Sequence, residues 1–247
     1  MKSCIKKHVK KKFPNITAIL PAAGVGKRMQ SAVPKQYYLI GNKTLLEYSI
    51  DTLLSQSCIC HCIVVIHSHD CWFRKLSIAY DPRISIVIGG PTRADSVMAG
   101  LQHVKKTVWV IVHDAARPCL HKEDLLRLFE ITKFSHIGGI LAVPVFNTIK
   151  RAYRNSEYIK YTVNRDNLWN ALTPQLFNFN ILKYCLEKAL KNKVIVTDEA
   201  SAIEYCGYTS ILIRGRADNI KVTYQDDLKL ASFYLSKLNN TGIYRIS

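Results

Sequence analysis

The sequence predicts a single α/β domain, a mostly parallel sheet with helices on both faces, and three observations carry that expectation. Short apolar runs alternate with amphipathic helical patterns along the chain, the pattern of repeated strand–helix–strand units. The 247 residues, 48% of them hydrophobic, are enough for one compact core and too apolar for a disordered chain. No stretch approaches the ~20 apolar residues that a membrane span needs.

Runs at 16–20, 62–66, 84–88, 108–112, 139–143 and 210–213 read as strands, because each is short, continuous and apolar. Helices are expected at 44–54, 93–105, 123–132, 180–191, 198–206 and 225–237. The first opens on Thr44 with Glu47 three residues on, a capping box. Gly207 stands just past the fifth, where a left-handed residue is favoured. The stretch from about 145 to 170 breaks the alternation. It is polar and carries strand-like pieces at 148–153 and 158–163 around Asn155 and Ser156. A hairpin projecting from the body is expected there, with a long surface loop as the alternative.

Ligands of such sheets lie beyond the carboxyl ends of the strands, and the loop after the first strand is the most informative. AILPAAGVGKRMQSAVPKQ, residues 18–36, opens into Pro21, Ala22, Ala23, Gly24 and Gly26, then presents Lys27, Arg28 and, past Pro34, Lys35. Small residues let backbone N–H groups approach a phosphate, and the cations suit a nucleoside triphosphate. A Walker loop is excluded, since Arg28 and not Ser or Thr follows Lys27 and the glycine spacing differs. A complete dinucleotide fingerprint is excluded too, with Met29 at its third glycine. Asp114 follows the run 108–112, where a ligand-facing carboxylate belongs, although an Asp capping the next turn has the same appearance. Ala115 and Ala116 leave room beside it, Arg117 adds a charge, and His113 reads as structural.

Lys and Arg number 35 against 18 Asp and Glu, a formal net charge of +17. Lys2, Lys6, Lys7, Lys10, Lys11 and Lys12 crowd the N-terminus without an acid. A solvated tail is therefore expected over 1–15, followed by one domain over 16–240 and a second tail over 241–247. The segment MKSCIKKHVKKKF lacks the apolar stretch of a secretory signal, so a cytoplasmic location is expected. The remaining excess of cations suits anionic substrates, and a basic nucleic-acid-binding module is the second class of function it allows. Against that class, aromatics are not interleaved with the cations, and no helix-turn-helix, zinc-finger or RRM signature appears. Of the eight cysteines, Cys119, Cys185 and Cys206 sit inside apolar or helical patterns, as free thiols do. Cys58, Cys60, Cys62, His67, His69 and Cys71 lie close in sequence, in a spacing that matches no common zinc pattern.

The pattern P-A-A-G-x-G-x-R-M…P-K-Q resembles the signature of the 2-C-methyl-D-erythritol 4-phosphate cytidylyltransferases of non-mevalonate isoprenoid biosynthesis. Six further segments extend the likeness in the family's order: GGPTRADSVMAGL (89–101), VHDAARPC (112–119), PVFNTIKR (144–151), TVNRDNLWNALTPQLF (162–177), TDEASAIEYCG (197–207) and GRADNIKVT (215–223). The resemblance implies a Rossmann-like nucleotidyltransferase domain with a β-arm at about 145–170 that embraces a partner subunit in a homodimer. It implies transfer of the cytidylyl group of CTP to 2-C-methyl-D-erythritol 4-phosphate, with Mg²⁺. Ribitol 5-phosphate or another polyol phosphate is the alternative acceptor. It assigns Arg28, Lys35 and Lys221 to catalysis, on the triphosphate and the transition state. It assigns Pro21, Ala22, Ala23, Gly24, Gly26, Gly90, Arg93 and Ser96 to the nucleotide. It assigns Asp114, Arg117, Thr148, Arg165 and Thr173 to the acceptor, with Asp114 also near the metal, which is carried mainly by the CTP phosphates. Thr148 and Arg165, in the arm, would serve the partner's site. Here Pro91 follows Gly90 and has no N–H to offer the base.

Overall fold

A computed structural model describes residues 13–24, 33–105 and 107–239. The lysine-rich segment 1–12, residues 25–32 with Gly26, Lys27 and Arg28, and residues 240–247, which hold the expected second tail, lie outside the described residues. Strand β1 (Ile16–Pro21) shows how the sequence builds the sheet. Ile16, Ala18 and Leu20 join one apolar layer and Ile19 the other, the alternation of a strand buried on both faces. It pairs in parallel with β4 (Ile59–Ile66) on one side and β6 (Trp109–Val112) on the other, and β5 (Ile84–Ile88) continues beyond β4. On the far side stand β7 (Gly138–Pro144), β10 (Trp169–Asn178) and β11 (Ile211–Arg214). The seven-stranded order is β11-β7-β10-β6-β1-β4-β5.

Helices cover both faces, as the alternation predicts. On one, α1 (Leu45–Leu54) and α3 (Lys122–Glu130) place Leu46, Ile50, Leu53, Leu125 and Phe129 against the layer of Ile16 and Leu20. On the other, α2 (Arg93–Gln102), α4 (Phe179–Lys191) and α5 (Glu199–Tyr205) place Val97, Leu101, Leu182, Leu186 and Ile203 against Ile19 and Val112. A smaller cluster forms as α6 (Gln225–Asn239) brings Ala231 and Leu235 to Leu45, Cys119 and Val222. Thr44 and Glu47 form the expected capping box. Gly207, at φ +80°, ends α5: its N–H donates to Glu204 O and that of Tyr208 to Ile203 O, a paired closure that needs the left-handed residue.

The structure departs from the sequence reading at β10. It lies antiparallel between β6 and β7, in the middle of the sheet. Its sequence contains Pro174, which donates no ladder hydrogen bond and ordinarily argues against a central strand. The register with β7 shifts between Ala171 and Gln175, and that irregularity accommodates the proline. A small hairpin of β2 (Leu39–Ile40) and β3 (Lys43–Thr44), turning at Gly41 with φ +62°, is a second element the sequence did not signal. Helix α2 also stops at Gln102, short of the expected 105, and β4 starts earlier than 62.

The expected hairpin is present as β8 (Ile149–Ala152) and β9 (Ile159–Val163), a separate antiparallel ribbon pairing Ile149 with Val163. Asn155, at φ +55°, sits in its turn. Both strands are exposed along nearly their whole length. Among the described residues no group of three or more His, Cys, Asp or Glu is placed to hold a metal ion, and the seven described cysteines are free thiols. Among them too, no helix is long and apolar enough to cross a membrane.

Candidate active site

Strands β1, β4, β5 and β6 are parallel neighbours, so Pro21, Ile66, Ile88 and Val112 bring their carboxyl ends to one edge of the sheet. A cavity of about 610 Å³ opens there. Part of the lining is made of small residues, Ala22, Ala23 and Gly24 after β1 and Gly90 after β5, with Pro91 next to Gly90 and His67 after β4. Its glycines are needed for close approach. A Cβ on Gly89 would stand 2.6 Å from Ser96 Oγ, and one on Gly90 2.4 Å from Asp95 Cβ. Gln36 Nε2 donates to Ala22 O at 2.7 Å and to Gly24 O at 3.2 Å, which pins the small-residue loop. Ser96, in the first turns of α2, donates from Oγ to Thr92 O at 3.0 Å and keeps lone pairs for a ligand donor.

Another part of the lining is charged. Asp114 is buried at its centre. Its Oδ1 accepts from Arg93 Nε at 3.1 Å, and its Oδ2 meets Lys221 Nζ at 2.9 Å and Arg117 Nε at 3.3 Å. Burial pushes the Asp114 carboxyl upward, but Arg93, Lys221 and Arg117 outweigh it and hold it far below the usual carboxylate range. Arg93 is itself gripped by Glu199 at 2.7 Å, and its two carboxylates keep it protonated despite burial. Lys35 Nζ donates to Val222 O at 2.8 Å, across 187 residues of sequence. Lys35 is thus bonded to the residue that follows Lys221, and both lysines line the cavity. A fixed cluster with more cations than carboxylates is suited to bind phosphates and to stabilise negative charge that builds up between them.

Of the residues singled out in the sequence, the structure brings Pro21, Ala22, Ala23, Gly24, Lys35, Gly90, Arg93, Ser96, Asp114 and Lys221 to this cavity. Arg117 stands behind Asp114, its Nη1 donating to Asn219 O at 2.8 Å. Thr173 lies beneath: its Oγ accepts from the Asp114 backbone N–H at 3.0 Å and donates to His113 Nδ1 at 3.0 Å. Thr148 and Arg165 are both exposed in the arm, just outside its two strands, with Arg165 donating to Phe146 O. Neither lines the cavity. Gly26 and Arg28 lie outside the described residues. Sequence reasoning missed Gln36, Glu199 and His67 as site residues; the P-K-Q and T-D-E segments held the first two in plain view.

His113 is structural, as the sequence suggested. Its Nε2 faces Arg117 O at 3.1 Å, so Nε2 carries the proton and Nδ1 accepts from Thr173. Burial pushes its pKa down to about 4, against the opposing pull of Asp114. The unfolded chain takes up a proton near pH 6.5 and the folded one does not, so stability falls as pH drops from about 6.5 to about 4. The expected loss at pH 5 is about 2 kcal/mol relative to pH 7.5. Urea unfolding of the wild type and of His113→Gln at both pH values checks this; an equal loss in the variant would assign it to other groups.

A mostly parallel sheet with a glycine-bounded, cation-lined cavity at the carboxyl edge of its parallel strands defines an α/β nucleotide-binding protein. Comparison with known proteins narrows the class to nucleotidyltransferases. The family model described as IspD, 2-C-methyl-D-erythritol 4-phosphate cytidylyltransferase, matches residues 16–237. The 2-C-methyl-D-erythritol 4-phosphate cytidylyltransferase of Blochmanniella pennsylvanica (strain BPEN) is 75% identical over 230 residues, 93% of this chain and 98% of its own length. That of Sodalis glossinidius (strain morsitans) is 57% identical over 228 residues, 92% and 95% of the two chains. The crystal structure of the Francisella tularensis enzyme superposes with a TM-score of 0.76 at 35% identity, covering 89% of this chain and 99% of that one. The chain belongs to the 2-C-methyl-D-erythritol 4-phosphate cytidylyltransferase family and is a nucleotidyltransferase.

Proposed function

We propose that the chain transfers the cytidylyl group of CTP to 2-C-methyl-D-erythritol 4-phosphate, giving 4-diphosphocytidyl-2-C-methyl-D-erythritol and pyrophosphate. The observation that carries the reading is the meeting of Arg93 and Lys221 on Asp114, with Lys35 lining the same cavity beside small residues, in a member of this family. An oxygen of the acceptor phosphate attacks the α-phosphorus of CTP. The bond from that phosphorus to the bridging oxygen breaks, and pyrophosphate leaves with the electron pair. Charge accumulates on the equatorial oxygens, and preorganised cations stabilise it more in the transition state than in the ground state. Lys35 and Lys221 have that role here, with Asp114 fixing Lys221, and Arg28 joins them by resemblance. Gly90 O and Ser96 Oγ suit the exocyclic amine of cytosine, and Arg93 the nucleotide phosphates. Asp114 and, behind it, Arg117 are assigned to the acceptor by resemblance, and Thr173 supports Asp114 from below.

The donor set does not make a resident Mg²⁺ site: both oxygens of Asp114 are occupied by cationic side chains. The Mg²⁺ in this proposal is part of the substrate, arriving on the CTP phosphates. The proposal includes a homodimer in which Thr148 and Arg165 of one subunit serve the other's cavity. A two-stranded ribbon is at best marginally stable alone in water, and this one exposes Tyr158 at 81% and Ile159 at 61%; a partner subunit would cover both. It also includes a cytoplasmic location, which the free thiols of the seven described cysteines suit. Pyrophosphate release measured with each of the four NTPs against a panel of polyol phosphates tests the reading. CTP with 2-C-methyl-D-erythritol 4-phosphate is expected to outpace every other pair by at least about tenfold in kcat/KM. Equal turnover of ribitol 5-phosphate would overturn the acceptor, and a preference for ATP or GTP the base.

A further inference from the structure

The segment TDEASAIEYCG has no part in the steps above, yet its helix α5 begins beside the cavity. Asp198 caps that helix, its Oδ1 accepting from Ser201 N at 2.9 Å. Gln175 of β10 holds the same turn from within the sheet. Its Oε1 accepts from Ala200 N at 3.0 Å, and its Nε2 donates to Asp198 Oδ2 at 2.9 Å. Glu199, the first residue of α5, is thereby turned inward, with its side chain 2% exposed. There it takes Arg93 end-on: Nη1 donates to Oε1 at 2.7 Å and Nη2 to Oε2 at 3.2 Å. Two parallel bonds fix the plane of a guanidinium as well as its position. The remaining Nε reaches Asp114 Oδ1, and Asp114 Oδ2 stays with Lys221 and Arg117.

We infer that Glu199 is a positioning residue of the nucleotide cavity: its two-point hold on Arg93 leaves one nitrogen for Asp114 and so keeps the second Asp114 oxygen for Lys221. Glu199 does not line the cavity itself. With its charge removed, Asp114 is the carboxylate that remains within Arg93's reach. A guanidinium favours a two-point grip on a carboxylate. Arg93 then turns onto both Asp114 oxygens and competes with Lys221 for Oδ2. The consequence is a misdirected Lys221, reached through Arg93 and Asp114 from a helix that contributes no residue to the cavity lining.

The inference rests on the nucleotide role proposed for Arg93, and the test separates the two. Steady-state kcat and KM for CTP, at saturating 2-C-methyl-D-erythritol 4-phosphate, are measured for the wild type, Glu199→Gln, Arg93→Ala and the double variant, with thermal melting of each. Glu199→Gln is expected to lose on the order of tenfold in kcat/KM in the folded protein, because small misplacements of a catalytic group are costly. The double variant is expected to fall no further than Arg93→Ala alone, because Glu199 acts through Arg93. A Glu199→Gln protein that melts lower but keeps wild-type kcat and KM would reduce Glu199 to a packing role and overturn the inference. So would losses that multiply in the double variant. If Arg93→Ala is as active as the wild type, the proposed role of Arg93 falls and takes the inference with it. Should Glu199→Gln not fold, Glu199→Asp, which keeps the charge and withdraws it by one methylene, replaces it with the same expected direction.

Discussion

Lys221→Ala and Lys35→Ala are each expected to lower kcat by about 10²-fold or more at saturating CTP, because each removes a fixed positive charge from the place where negative charge develops. The fold should barely respond. Lys221 is partly exposed, and its partner Asp114 keeps Arg93 at 3.1 Å and Arg117 at 3.3 Å, so no buried charge is abandoned. Lys35→Ala gives up the bond to Val222 O, a loss of about 1 kcal/mol. The comparison that matters is therefore kcat at full saturation against the melting temperature. A loss confined to KM would mean that the lysine binds ground state and transition state alike. Near wild-type kcat in either variant would remove that lysine from catalysis.

The arm yields the second large effect. Arg165 and Thr148 are exposed and do not line the cavity of their own chain, so in the proposed homodimer Arg165→Ala and Lys35→Ala are expected to damage different halves of a composite site. Each homodimer alone should be nearly inactive. In a mixed dimer one site joins the Lys35→Ala body to the Arg165→Ala arm, and the other joins an intact body to an intact arm. Refolding the two inactive proteins together should then restore about a quarter of wild-type activity, since random pairing makes half the dimers mixed and each has one sound site. An inert mixture, with subunit exchange shown independently by labelled chains, would mean that Arg165 serves its own subunit. The segment 145–170 would then be a lid over the chain's own cavity.

Residues whose effect is local were legible in the sequence. The alternation of Ile16, Ala18 and Leu20 against Ile19, the Thr44–Glu47 cap, the turn at Asn155 and the closure at Gly207 all act over two to four neighbours, and a pattern that short fixes its own geometry. The same logic placed Asp114 and the Ala22–Gly24 loop at strand ends, and hence at one edge of a parallel sheet. The family's signature added what no such pattern holds, the identity of the reaction. Strand β10 was not legible. Pro174 contradicts a central strand on local grounds, and only pairing with β6 and β7, around a register shift, makes room for it. The electrostatics of the site were hidden for a related reason. The segments carrying Lys35 and Val222, Asp114 and Lys221, and Arg93 and Glu199 are far apart in the chain, and no periodicity records that they meet. The sequence by itself determined the helices, most of the strands and which residue types stand at their ends. The tertiary structure decided which of those charges face one another, because Coulombic attraction depends on the distance between folded elements and on their burial, and neither is written in the order of the residues.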